Sequence, residues 1–152
     1  MSLALSFDAE LVGPWVSERT KSGWTKGACS AIGKVKDGEL VAGILYESNN
    51  GANVMAHIAG EGQWLDKTLL YIMFHYPFVQ LGVNRITASS NSDNAKSIAF
   101  LERIGFIMEA RLHGATSTGD ILLFRMFKSE CKYLESRYGK CVKTAAISAS
   151  CT

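Results

Sequence analysis

Apolar and polar positions along this chain follow two periods, and the switches between them mark its elements. Residues 8–20 carry Leu11, Val12, Trp15 and Val16 at helical spacing, which predicts an amphipathic helix. Gly13-Pro14 falls inside it, so the helix is either kinked there or starts at Pro14. Residues 21–27 read as a loop containing glycine and lysine. Residues 29–36 and 40–47 read as strands joined by Asp37-Gly38, a strong hairpin-turn signal. Asn49, Asn50 and Gly51 mark a second turn, and residues 53–59 alternate as a third strand. A helical period follows, with Leu65, Leu69, Ile72, Met73 and Tyr76 on one face; Pro77 ends or kinks it and Gly82 closes it. Residues 83–90 form a fourth strand. A strand, a helix and a strand in this order require a crossover, which makes the third and fourth strands parallel.

Residues 91–106, NSDNAKSIAFLERIGF, read as a capped helix with a glycine stop. Ser92, Asp93 or Asn94 can each accept from a first-turn amide. Ala95, Ile98, Ala99, Phe100 and Ile104 form its apolar stripe, and Gly105 sits where a left-handed C-cap is needed. Residues 107–115 and 120–127 make a hairpin around Thr116 to Gly119. Residues 128–138 read as a last helix with Cys131, Leu134 and Tyr138 facing inward, stopped by Gly139. One domain over residues 1–139 is expected. Residues 140–152, small and polar, are expected to be a disordered tail.

Composition narrows the function classes. The chain has 152 residues, 47% hydrophobic and 20% charged, the balance of a single globular domain. A net charge of +2 is too weak to argue for nucleic acid or a membrane surface. No apolar run is long enough to span a bilayer. The first residues lack the basic segment and cleavage site of a signal peptide, so a cytoplasmic location is expected. Cys29, Cys131, Cys141 and Cys151 show no close pairing and are expected as free thiols. The three histidines are scattered and no CxxC pair exists, so no metal site is expected.

Residues 60–63, Gly-Glu-Gly-Gln, lie between a strand and a helix start. Amides and a helix dipole there suit a phosphate or pyrophosphate; the plainer reading is a tight turn. His57, on the strand entering this turn, and Glu61, within it, could each take a proton near neutral pH. A structural role for a lone strand histidine is the plainer reading. His75 is placed to cap a helix C-terminus, His113 on a surface or groove strand, and Lys67 as an anion contact or a solvated charge. Trp15, Trp24 and Trp64 read as core or groove lining. The sequence has no nucleophile elbow, dinucleotide fingerprint or phosphate-loop lysine motif.

The order of residues in the 91–106 stretch adds a resemblance. Asn94, Ser97, Leu101-Glu102 and Gly105-Phe106, then Glu109, resemble the second acetyl-CoA motif of the GNAT N-acetyltransferase superfamily. The form is that of the ribosomal-protein N-terminal acetyltransferases, with Arg103 where lysine is usual. The middle, from Gly51 through His57 and Gly62 to Tyr76-Pro77-Phe78, is similar to small phage- or prophage-encoded members.

The resemblance covers roughly residues 32–127. It implies an α+β fold with a central mixed, mostly antiparallel sheet and helices on both faces. It also implies acetyl-CoA as co-substrate, with no metal, and acetyl transfer to a primary amine by direct attack on the thioester. Ile58, Ala59, Gly60, Gly62, Gln63, Trp64, Asn94, Ser97 and Leu101 would hold acetyl-CoA. Residues 59–64 lack the basic-plus-double-glycine pattern of the superfamily, but Gly60 and Gly62 preserve its backbone chemistry. Many members place a tyrosine acid at the position of Leu101. With leucine there, Ser97 becomes the candidate acid, and His57 or, through water, Glu61 the base. The acceptor would be a small-molecule or peptide amine, neither membrane nor nucleic acid. Pairing through exposed strands would make a homodimer. Two alternatives keep the fold: a non-catalytic CoA- or partner-binding domain, and a phage-type nucleobase or nucleotide modifier.

Overall fold

The structure, a computed structural model, describes residues 3–139. The expected tail, with Cys141 and Cys151, lies outside the described residues. Seven strands form one sheet in the order β1-β2-β3-β4-β5-β7-β6. They are β1 (Leu3–Ser6), β2 (Cys29–Lys36), β3 (Glu39–Glu47), β4 (Asn53–Gly60), β5 (Arg85–Asn91), β6 (Ile107–Leu112) and β7 (Ile121–Phe127). β4 and β5 run parallel and every other neighbouring pair is antiparallel. The helix α1 (Ala9–Thr20) lies on one face; α2 (Lys67–His75) and α3 (Ala95–Arg103) lie on the other. The mixed, mostly antiparallel sheet with helices on both faces is the fold class expected from the sequence.

Local chemistry accounts for the elements. Asp8 caps α1, its carboxylate accepting from Glu10 N at 3.0 Å. The helix does not start at Pro14: it begins at Ala9 and runs through the proline. Its register buries Val12 and Val16 and leaves Leu11 exposed. The β2–β3 turn has Asp37 at φ +52° and Gly38 at φ +84°, the paired left-handed geometry that an Asp-Gly hairpin favours. Gly33 and Gly43 let α1 approach the sheet: a Cβ on Gly33 would lie 2.6 Å from Val12, and one on Gly43 2.6 Å from Val16. Asp66 caps α2, accepting from Leu69 N at 2.8 Å. Regular α-helix ends at His75, just before Pro77, and the chain continues as a π-helical turn, Tyr76–Gln80, closed by Leu81 N donating to Tyr76 O.

Three expectations need correction. β1 is a seventh strand, four residues long and too short to show alternation. On α3 the buried residues are Leu101 and its cap residue Ile104, with Ile98 and Phe100 partly covered; Ala95 and Ala99 are exposed. Residues 128–138 are not one helix. Two 3-10 turns, Lys128–Glu130 and Lys132–Leu134, precede a short α4 (Ser136–Gly139). Cys131 and Glu135 are extended, and the Glu130 carboxylate is held by Phe127 N and Arg125, which ties the segment back to β7. Tyr133, not Leu134, is the deeply buried side chain, stacked on Phe74 at 5.1 Å.

The main core fills the space between the sheet and α2 with α3, around Tyr46, Phe74, Phe78 and Phe124. A smaller core of Val12, Val16, Ala31 and Leu45 lies under α1. Among the described residues no helix is long and apolar enough to cross a membrane.

Candidate active site

The sheet is open at its centre. β4 and β5 pair only over Asn53–Met55 with Arg85–Thr87, although β4 continues to Gly60 and β5 to Asn91. The closed end of this wedge is tied by side chains: Arg85 Nε donates to Thr87 Oγ1 at 3.1 Å, and Thr87 Oγ1 donates to Asn53 Oδ1 at 2.7 Å. Beyond it, the β5-facing backbone groups of β4 have no strand partner. Such groups demand hydrogen bonds. An extended, amide-bearing ligand could supply them as an added strand does.

His57 sits on β4 just past the closed end. Val54, Ala56 and Ile58 point toward α2, so His57 and Ala59 point toward α1. Its Nε2 lies 2.9 Å from Glu47 Oε1. The His57 side chain is 12% exposed and that of Glu47 29%. The register pairs His57 with Leu45 and Met55 with Glu47, which sets Glu47 diagonally across from the ring on one face. With Nε2–H donating to the carboxylate, Nδ1 keeps its lone pair, the arrangement of an oriented general base. An open cleft of about 270 Å³ reaches Glu47, lined also by Cys29, Asn49, Val54, Tyr76 and Leu81.

Above the wedge, the segment from Gly60 to Asp66 joins β4 to α2. Glu61 N still donates to Val41 O at 2.8 Å, but the Glu61 carboxylate is turned to α1, where Arg19 Nε holds it at 3.3 Å. Arg19 itself lies over the Trp15 ring at 3.7 Å. Gly60 is covered by the Trp64 indole: a Cβ there would fall 2.2 Å from the ring. Trp64 packs on Phe100 of α3, ring centroids 5.5 Å apart, and so bridges the two elements that follow β4 and β5. Gly62 (φ +68°) and Gln63 are exposed, with open space around the glycine. Under the segment, the Lys34 ammonium donates to Trp64 O and Asp66 Oδ2, both at 2.7 Å.

On α3, Asn94 is the N-cap chosen among the three sequence candidates, accepting from Ser97 N at 3.1 Å. Ser97 is half-buried in the first turn. Leu101 is 4% exposed within the main core, where it has no proton to give. The helix start is tied to the β6–β7 loop: Asp120 N donates to Ser92 Oγ at 3.0 Å and Thr118 Oγ1 to Asp93 Oδ2 at 3.1 Å.

The structure therefore gathers His57, Ile58, Ala59 and Gly60 on one strand at the wedge, with Gly62, Gln63 and Trp64 above them. Ser97 stands across the sheet from the imidazole. Glu61 faces Arg19 rather than His57. Three polar residues of this region were not singled out by sequence: Glu47, Lys34 and Asp66. Lys34 carried a signal, a charge on the apolar face of a strand beside Ile32. Glu47 carried none, because its meeting with His57 depends on hairpin register. His75, expected as a helix cap, stacks on Tyr71 at 5.0 Å, and burial holds its pKa below the usual value. His113 lies just past β6, exposed, 3.4 Å from Asp120. The Tyr46 phenol donates to Met73 O at 2.6 Å, and burial, with Tyr76 beside it, raises its pKa well above the usual value. Burial pushes the Cys131 thiol up to about 11. Both stay protonated at neutral pH, so neither is a ready nucleophile. Among the described residues, no three His, Cys, Asp or Glu side chains form a metal-binding group.

No protein-family model matches the sequence, and no curated protein does. Solved structures do. A mutant form of the spermidine/spermine N-acetyltransferase SpeG from Vibrio cholerae is 16% identical, with a TM-score of 0.69 over 88% of this chain and 98% of that one. The Vibrio cholerae spermidine N-acetyltransferase in complex with CoA and spermine is 14% identical, with a TM-score of 0.67 over 88% and 98%. A probable acetyltransferase is 20% identical, with a TM-score of 0.59 over 81% of this chain and 74% of that one. The likeness shows the fold: this chain shares the fold of these acetyltransferases.

Proposed function

We propose that this protein transfers an acetyl group from acetyl-CoA to a primary amine by direct attack on the thioester. The observation that carries the reading is the β4–β5 wedge, with His57 and Glu47 paired beside its closed end. The similarity to an acetyltransferase that binds CoA supports it. The residues present fit the co-substrate. Unpartnered backbone on Ile58 and Gly60 suits the amides of a pantetheine arm. Exposed Gly62 and Gln63, with Trp64 and the start of α2, suit a pyrophosphate. Of the α3 candidates, Asn94 and Ser97, at the start of the helix, are left accessible to the co-substrate, with Leu101 in the core beneath them.

When bound, acetyl-CoA supplies an activated acyl group and a thiolate leaving group. The chain must supply the rest. His57, oriented by Glu47, takes the proton from the incoming ammonium so that a neutral amine can attack. The Ile58 amide, which faces the wedge, polarises the carbonyl oxygen, worth about 3 kcal/mol if it behaves as a single oxyanion-hole donor. Ser97 is the proton donor for the thiolate, since Leu101 cannot be one. Glu61 is the second candidate base, and its engagement by Arg19 makes His57 the stronger. The acceptor approaches the pair from its Glu47 end, where the open cleft lies. One carboxylate in that cleft suits a small molecule or peptide presenting a single amine.

The test is thiol release from acetyl-CoA against a panel of amines, with wild type and His57→Ala. We expect turnover with at least one amine and a loss of about tenfold or more in kcat in the variant, with CoA binding intact. Unchanged turnover of His57→Ala across the pH range would remove His57 as the base. A second reading, a CoA- or partner-binding domain without catalysis, is favoured by one observation: the Trp64 indole covers Gly60. Binding of CoA without thiol release with any amine would select it.

A further inference from the structure

Lys34 stands on β2 two residues from Ile32 and on the same face, in the layer that packs against α2. It is only 9% exposed. A buried ammonium persists only with partners, and both of its partners belong to one segment: Trp64 O and Asp66 Oδ2, each at 2.7 Å. That segment is the one assigned above to the pyrophosphate.

Two consequences follow from this contact. The first is electrostatic. Asp66 fixes a carboxylate at the N-terminus of α2, its Oδ1 taken by Leu69 N. The helix end otherwise favours an anion, and the carboxylate opposes a second one. Residues 60–66, GEGQWLD, hold two acidic side chains and no basic one. Arg19 compensates Glu61 from α1, and Lys34 compensates Asp66 from β2. The second consequence is geometric. In a planar trans peptide the C=O and the following N–H point in opposite directions. With the Trp64 carbonyl drawn inward to Lys34, the Leu65 N–H is turned outward, where an anion can accept from it.

We propose that Lys34 is the positioning residue for CoA binding: it cancels the Asp66 charge and orients the Trp64–Leu65 peptide so that the segment can take the pyrophosphate. The inference rests on the acetyl-CoA reading. Lys34 gives residues 60–66, which hold no basic side chain of their own, a cation reaching from β2.

The experiment is calorimetric titration of CoA into wild type, Lys34→Met, Lys34→Arg, Asp66→Asn and Lys34→Met/Asp66→Asn, with the Tm of each. We expect Lys34→Met to weaken binding about tenfold, the scale of one uncompensated charge near a half-buried anion site. Asp66→Asn, which keeps the helix cap, should tighten it roughly threefold. The double variant should return to within about threefold of wild type, as should Lys34→Arg, and the Lys34→Met penalty should shrink at high salt. A Lys34→Met protein of unchanged Tm that binds CoA as wild type does would overturn the proposal. A double variant as weak as Lys34→Met would overturn its electrostatic basis. If Lys34→Met does not fold, Asp66→Asn decides alone: unchanged or weaker binding by that variant overturns the proposal. Wild type that fails to bind CoA sinks the acetyl-CoA reading itself, an outcome distinct from these.

Discussion

Glycine at position 60 shows how one missing carbon shapes the site. The Trp64 indole lies flat against its backbone, and a Cβ there would come within 2.2 Å of the ring. The neighbour is a bulky aromatic already packed on Phe100, so it cannot retreat cheaply. Gly60→Ala should therefore destabilise the fold by about 1–3 kcal/mol, the usual scale of overpacking. It should also displace Trp64, visible as a shift in tryptophan fluorescence. Equal denaturation midpoints for variant and wild type would show that the indole swings freely off the strand. The same contact explains why sequence understates this residue. Gly60 looked like one of two turn glycines, yet its φ is ordinary and it is still inside β4. Gly62 is the one in the left-handed region.

At the scale of elements, the β6–β7 hairpin is held by charges. The Arg85 guanidinium hydrogen-bonds Glu109 and lowers its pKa. The Gly114 amide, then Arg111, lowers that of Asp120; the Phe127 amide, then Arg125, lowers that of Glu130. All three fold with depressed values, so the unfolded chain binds more protons as pH falls. Their stabilisation is complete above the ordinary carboxylate range and is lost below about pH 4, as pH passes down through the folded values. The stability gap between wild type and Asp120→Asn, read from urea midpoints, should thus narrow from pH 7 to pH 3. A gap of constant size would mean that the Asp120 charge contributes nothing.

Sequence reading did well where elements carry their own punctuation. Asp37-Gly38 located a hairpin to the residue, and the strand–helix–strand order gave the one parallel pair. It failed where a distant group decides. Residues 128–138 have a helical composition, but Glu130 turns back to Phe127 N and Arg125 and interrupts the run. β1 exists because β2 offers it an edge from Gly33 to Lys36, which four residues cannot announce. Of the candidate site, the strand carrying His57 and the helix capped by Asn94 were legible as elements, whereas the Glu47–His57 contact became visible only with the β3–β4 register.

For the whole molecule, the wedge sets a testable relation between local and global stability. A parallel pair of strands is joined over three residues at one end and open at the other, inside a sheet that is otherwise continuous from β1 to β6. The β5-facing backbone of Ile58 and Gly60 is a point of weakness, because no strand satisfies it. A ligand lying there would connect the β1–β4 half to the β5–β7 half. Acetyl-CoA at a hundred times its dissociation constant should then add about 2.7 kcal/mol of global stability. It should also slow hydrogen exchange most at the β5-facing amides of Ile58 and Gly60, well beyond the change in the α1-side core. Two outcomes separate the readings. Stabilisation with protection confined to the α3 surface would place the ligand outside the wedge and leave His57 without a substrate. Neither stabilisation nor protection would mean that the opening serves a partner rather than CoA, and that the pairing of His57 with Glu47 is a structural tie between β3 and β4.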